Sequence, residues 1–196
     1  MRKRLLATLL IGVLAFAACS GNNKNNDSSD PLANVTIKPD VEEQEDEGLY
    51  VLEFEATTVD GEEWNSDKLG NATLNLINVW ATYCNPCLEE MPDLGEIAAE
   101  YDSADLQLIG VVSDVQEGAS AEDIANAKAL IEETKAGTYP HLLLSESLYT
   151  NIVGAVEAVP TTFFLDQRGA VLGYLPGAQP KEVWTAIIDE LLEEMK

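Results

Sequence analysis

The chain has 196 residues, 46% of them hydrophobic and 23% charged, and about 150 of these suit one domain with a hydrophobic core of its own. Acidic residues outnumber basic ones 35 to 11, giving a formal net charge of -24. That balance argues against nucleic-acid binding, which needs cations along a phosphate backbone, and against lying flat on an anionic membrane by charge alone.

In chain order, Arg2, Lys3 and Arg4 precede an apolar run from Leu5 to Phe16. The run is too short to span a membrane comfortably and has signal-peptide order. Small residues precede Cys19, and Phe16-Ala-Ala-Cys19 resembles the lipobox of bacterial lipoproteins, whose signal is cut before a cysteine that carries the lipid. Residues 1–18 are therefore expected to be a lipoprotein-type signal peptide with lipid attachment at Cys19. A plain secretory signal and a transmembrane anchor are the alternatives. Each places the folded part outside the cytoplasm, where disulfides persist. Residues 19–47, rich in Asn, Ser, Asp and Glu, are expected to be a flexible acidic tether, with Leu32–Ile37 as a brief extended piece.

Residues 48–196 form the expected domain. Leu49 to Thr58 has strand character, Asp60-Gly61 marks a turn, and Glu62 to Asn65 reads as the returning strand. Trp64 reads as a packed cover. Asn71 to Trp80 fits a buried central strand through Leu74, Leu76, Ile77, Val79 and Trp80. A helix follows from Cys84, with Leu88, Met91, Leu94, Ile97, Ala98 and Tyr101 as its apolar stripe and Pro92 as a kink inside it. Leu106 to Val112 is a second buried strand. Ser120 and Asp123 form a capping pair for a helix to about Thr134, with Ile124, Ala127 and Ile131 inward. Leu142–Leu144 is short and apolar, with no strand assigned, and a small helical piece follows near Ser147 to Val153. Phe163–Leu165 and Val171–Leu175 read as an antiparallel pair. Pro180 suits the first turn of a last helix that buries Val183, Trp184, Ile187, Ile188 and Leu191.

Two of the three cysteines, Cys84 and Cys87, stand two residues apart where the buried strand hands over to a helix. In a helical turn that spacing brings the sulfurs within disulfide reach. The unpaired N–H groups of the helix start favour a thiolate at Cys84, so Cys84 attacks a disulfide and Cys87 resolves the mixed disulfide. Two blander readings compete. Structural zinc takes four ligands as a rule, and the domain offers only Cys84, Cys87 and His141 as soft ones. A purely structural disulfide closes almost no loop here and removes little unfolded-chain entropy. The cycle needs no bound cofactor or metal, only an electron source. Glu90, three residues past Cys87, is a candidate to move protons between the sulfurs or to raise the pKa of a buried thiol, with a plain surface charge as the alternative. Asn78 stands ready to hydrogen-bond the active loop. Trp80 and Tyr83 are expected to pack around the site. Val159-Pro160-Thr161 precedes a strand, and by composition alone a trans turn is the default; a cis Pro160 would instead present the backbone of Val159 to an extended substrate. His141, the sole histidine, is expected at a strand edge, partly exposed and not catalytic.

The stretches NVWATYCNPCLEEMPDL at 78–94 and VEAVPTTFFLDQRGAV at 156–171, with the Asp60-Gly61 hairpin, resemble the thioredoxin-like superfamily. Within it they are similar to the TlpA/ResA-like branch of exported or membrane-tethered thiol–disulfide oxidoreductases, related to AhpC/TSA proteins. The resemblance runs from Leu49 to Met195. It implies an α/β, thioredoxin-like fold: a central mixed β-sheet with helices on both faces and an N-terminal β-hairpin extension. It implies Cys84 as nucleophile, Cys87 as resolving cysteine, Glu90 as the acid of a CxxCxxE pattern, Pro92 as the helix-kink proline and Pro160 as a cis-proline. Tyr83, Asn85, Pro86, Val159 and Pro160 become the expected substrate-binding set, and Asn78, Trp80 and Pro92 the structural residues near the site. Asn78 falls where thioredoxin itself has a buried aspartate, and the branch commonly has asparagine there. Tyr83 replaces the branch's usual tryptophan. No cofactor is implied. The implied partners are protein disulfides, including apocytochrome c before haem attachment, and a CcdA/DsbD-type membrane electron donor.

The expected function is thus extracytoplasmic reduction of protein disulfides from a lipid-anchored domain. The alternatives are a peroxiredoxin-like thiol peroxidase, whose cysteine normally lacks a CxxC partner, and a non-enzymatic binding module with an inert disulfide.

Overall fold

A computed structural model describes residues 36–37 and 50–196; the signal, Cys19 and most of the tether expected from the sequence lie outside the described residues. In chain order the elements are β1 (Thr36–Ile37), β2 (Glu55–Thr57), β3 (Glu63–Asn65), β4 (Leu74–Trp80), α1 (Asn85–Glu100), β5 (Leu106–Gln116), α2 (Ala121–Glu133), β6 (His141–Leu144), α3 (Glu146–Asn151), β7 (Thr161–Asp166), β8 (Val171–Pro176) and α4 (Lys181–Glu194). The main sheet has the order β1-β8-β7-β4-β5-β6, and β2-β3 pair separately. β4, β5 and β6 run parallel, while β7 and β8 run antiparallel to their neighbours. This is the mixed, thioredoxin-like sheet with an N-terminal hairpin that the motifs implied.

β4 sits at the centre, and all seven of its residues are buried, as expected for a strand covered on both faces. The side-chain alternation of a strand sorts its residues. Leu74, Leu76 and Trp80 join a core with α1, α2 and α4 through Met91, Leu94, Ala127, Ile131, Trp184 and Ile187. Ile77 and Val79 face the other core, with Leu52, Phe54 and Trp64 of the hairpin region and Leu148 and Ile152 of the α3 region. The hairpin turns at Gly61, whose φ of +88° suits a residue without Cβ. Trp64 stacks on Phe54 with ring centroids 5.5 Å apart, so it is the packed cover expected of it.

Four expectations needed revision here. β5 continues past Val112 to Gln116, and its Ser113 and Asp114 bond the segment just before the cysteines. The apolar Leu142–Leu144 stretch is part of a true strand, β6, which pairs with β5; four residues are too few to show a period in the sequence. Pro180 is the N-cap of α4 rather than a residue of its first turn. His141 is not partly exposed but 3% exposed, because the hairpin crosses the sheet edge: Val59 N–H donates to the His141 carbonyl at 2.8 Å, and Thr58 bridges Leu142. The capping pair at α2 is as expected, with Asp123 N–H donating to Ser120 Oγ at 3.1 Å and Ser120 Oγ donating to Asp123 Oδ2 at 2.7 Å. Among the described residues no helix is long and apolar enough to cross a membrane.

Candidate active site

Cys84 is the N-cap of α1, and its Sγ accepts from Cys87 N–H at 3.3 Å. Cys84 and Cys87 are joined as a disulfide. Cys87 is fully buried, whereas Cys84 retains 6% exposure, so the first sulfur is the one an incoming chain meets. The helix forms here because Cys84 is extended, Pro86 needs no N–H in the first turn, and the leading amides lack intrahelical acceptors. Those amides and the helix dipole favour negative charge on a sulfur at the N-cap.

The loop that delivers Cys84 is pinned from β5. Thr82 N–H donates to both Asp114 oxygens at 3.0 and 3.2 Å, and Thr82 Oγ1 donates to Asp114 Oδ2 at 2.6 Å. Ser113 Oγ donates to the Trp80 carbonyl at 2.9 Å. Trp80 is buried and takes its expected packing place. Its Nε1–H donates to His141 Nδ1 at 3.2 Å, and His141 Nε2 lies 3.0 Å from the Ala136 carbonyl. Nδ1 accepts, so Nε2 carries the proton and the ring is neutral. Burial pushes the imidazole down to about 4, against the Ala136 carbonyl and the more distant Asp60, which favour its charged form. Tyr83 departs from the expected packing: it is 74% exposed. It lines a cavity of about 160 Å³ with Val79, Val156, Glu157 and Val159.

The Val159–Pro160 peptide bond is cis, as the motif implied and residue context alone did not. The register pairs Thr161 with Val79, which sets the preceding cis bond beside the end of β4 and the cysteine loop. Asn85 and Pro86 are exposed on the first turn of α1, whereas Pro160 is buried and Val159 half-buried. Pro92 lies inside α1, where it was expected.

Glu90 is 3% exposed. Asn78 does not bond the loop; its Nδ2 donates to Glu90 Oε1 and to Thr162 Oγ1, both at 3.0 Å. The reason is direction: Asn78 shares a face of β4 with Leu76 and Trp80, and that face meets α1. Gln179 N–H donates to Glu90 Oε2 at 3.2 Å. Burial raises the carboxyl to about 7, against the Asn78 and Gln179 hydrogen bonds, which favour its charged form. The Trp184 indole N–H also favours that charge while finding no partner in hydrogen-bond geometry among the described residues. Asp93 pushes the carboxyl further up. Tyr139 is buried with its hydroxyl unpartnered among the described residues. Burial first, and then the Glu90 charge, push its phenol upward.

Thr162, Asp114 and Gln179 were not singled out in the sequence, and Trp184 was expected only on the buried face of the last helix. Gln179 left no signal, because it contributes a main-chain N–H that almost any residue carries. Among the described residues no group of three or more His, Cys, Asp or Glu comes together as a metal site. The arrangement holds an accessible sulfur at a helix start, a buried sulfur one turn on, and a carboxyl with an affinity for protons near neutrality. Such a set can exchange two electrons as a dithiol–disulfide couple and move a proton near the buried sulfur.

The AhpC/TSA family model matches residues 48–173. The thioredoxin-like protein YneN of Bacillus subtilis is 30% identical over 137 residues, covering 69% of this chain and 75% of that protein. The thiol-disulfide oxidoreductase ResA of Geobacillus thermodenitrificans is 28% identical, and the match covers 54% of this chain and 56% of ResA, a little over half of each. Among solved structures, the pneumococcal exposed lipoprotein thioredoxin Etrx1 of Streptococcus pneumoniae superposes with a TM-score of 0.57 at 27% identity, covering 70% of this chain and 98% of that one.

Proposed function

The chain belongs to the AhpC/TSA family, in its thioredoxin-like, ResA-like branch, and on that premise we propose that it is an extracytoplasmic thiol–disulfide oxidoreductase that reduces disulfides of exported proteins. The observation that carries the reading is the unequal disulfide at the start of α1, with Cys87 fully buried and Cys84 retaining 6% exposure at the N-cap.

In the reducing direction the Cys84 thiolate attacks one sulfur of a substrate disulfide. A mixed disulfide forms, and the other substrate sulfur leaves as a thiolate. Cys87 gives up its proton and attacks Cys84 Sγ, which expels the second substrate thiolate. Two electrons have passed to the substrate, and Cys84–Cys87 is left as the disulfide. Glu90 takes the Cys87 proton. Val159 and the cis Pro160 align the substrate backbone as an added strand, and Tyr83, Asn85 and Pro86 contact its flanks. A membrane dithiol donor of the CcdA/DsbD type returns the electrons. Apocytochrome c, with its CxxC pair, is the client we propose. Signal cleavage before Cys19 and lipidation of that residue tether the domain outside the cytoplasm; the exposed lipoprotein among its structural relatives supports this placement.

The test is trapping. Cys87→Ser should accumulate a mixed disulfide through Cys84 with an exported protein, because attack survives and resolution does not. A Cys84→Ser variant that traps the same partner better would reverse the roles. Turnover of peroxide faster than of protein disulfides would favour thiol peroxidase chemistry instead, and full function in Cys84→Ser would leave only an inert binding module.

A further inference from the structure

The loop between β8 and α4, residues 177–180, has an outside contact at each end. Gly177 N–H donates to the Pro160 carbonyl at 2.8 Å. Gln179 N–H donates to Glu90 Oε2 at 3.2 Å. The Gln179 side chain turns back on the loop, its Nε2 donating to the Gly177 carbonyl at 3.4 Å. Gly177 holds a φ of +89°, a conformation that side-chain-bearing residues rarely adopt. Pro180 ends the loop as the N-cap of α4, the helix whose Trp184 faces the same carboxylate.

We propose that the Gly177–Pro180 loop is a positioning strap of the redox site, whose main-chain N–H groups hold the cis-proline segment at one end and the Glu90 carboxylate at the other. The strap acts through Pro160 and Glu90 and does not itself touch the sulfurs. It joins the part of the site that aligns substrate to the part that handles the proton. The proposal rests on the reading of Glu90 as the proton acceptor for Cys87.

Every element around Glu90 contributes to its charge balance. Asn78 from β4 and the Gln179 N–H stabilise the ionised form, Trp184 from α4 does so more weakly, and Asp93 on α1 opposes it. Tyr139, before β6, interacts with the same charge. Thr162 from β7 holds the Asn78 amide in place. Removing only the Gln179 N–H takes away one stabilising donor, so the carboxyl must protonate more readily. Straining Gly177 acts first on its own N–H bond to the Pro160 carbonyl, while Asn78 from β4 still donates to Glu90.

The experiment replaces Gln179 in the full chain by its α-hydroxy analogue, which exchanges the N–H for oxygen without restricting φ. Gln179→Ala, which keeps the N–H, is the control, and Glu90→Gln and Gly177→Ala run beside them. The readouts are the pH profile of the single-turnover resolving step and KM for a disulfide-bonded polypeptide. The analogue should move the pH midpoint upward by about one unit, with Gln179→Ala unchanged. Gly177→Ala should raise KM about tenfold, equivalent to about 1.4 kcal/mol, with the midpoint in place. Equal midpoints for the analogue and Gln179→Ala, with Glu90→Gln abolishing the pH-dependent limb, overturn the strap and leave the Glu90 reading standing. A limb that survives Glu90→Gln overturns both.

Discussion

Glu90 is a buried acid whose hydrogen-bonding neighbours are neutral: the Asn78 amide and a main-chain N–H. Dipoles offset only part of its desolvation, so its carboxyl titrates at about 7, where a general base is most useful. Glu90→Gln should slow resolution of the mixed disulfide about 10²-fold near neutral pH while leaving the initial attack by Cys84 nearly unchanged. Rapid-quench measurement of the two steps checks this, and equal slowing of both would assign Glu90 to the fold rather than the proton. The CxxCxxE spacing made Glu90 legible in the sequence, because helical spacing places residues 87 and 90 on one side. Asn78 was legible as a nearby residue but not in its role. Its partners come from α1 and β7, brought together only by the sheet.

At the scale of elements, α1 must lie close enough to the turn before β6 for its buried face to close over the sheet. Gly95 makes that approach possible. A Cβ there would stand 2.7 Å from the Lys135 carbonyl and 3.3 Å from Ala136 Cα, both of them backbone. Helix propensity favours Gly95→Ala by up to about 1 kcal/mol, but the overpacking costs about 1–3 kcal/mol, so the variant should be destabilised in urea unfolding. Gly137→Ala, with nothing within 4 Å of the new methyl, should be neutral or slightly stabilising. A Gly95→Ala midpoint above that of Gly137→Ala would mean that α1 and the turn separate without loss. β4, α1, α2 and α4 were readable because each carries a long apolar period or a cap, and the β7–β8 pair because the turn at 166–169 joins two apolar runs. β6 was not, being four residues long, and neither was the continuation of β5 through Ser113 and Asp114, whose polar side chains look like a loop and instead pin the cysteine turn.

Across the whole molecule, two buried ionisable groups oppose each other. Burial was the part that sequence could not show: His141 read as an edge residue until the hairpin closed over β6. In the folded chain Glu90 holds its proton up to about 7, whereas the unfolded carboxyl releases it near 4.5. Its contribution to stability is full below the lower value and lost as pH rises to the upper one. His141 behaves in the reverse sense. Folded, it stays neutral down to about 4, while the unfolded ring protonates near 6.5, so its contribution is full above 6.5 and lost as pH falls to about 4. Between about pH 5 and 6.5 the folded chain binds one proton more at Glu90 and one fewer at His141. The slopes cancel, and stability of the oxidised protein should vary by less than about 1 kcal/mol from these groups. Glu90→Gln removes one slope and exposes the other, so this variant should gain about 2 kcal/mol over the same interval as pH rises. Urea unfolding at a series of pH values, with the disulfide kept oxidised, measures both curves. Parallel curves for the two proteins would mean that Glu90 is ionised in the folded chain throughout the interval and cannot serve as a base that titrates near neutrality.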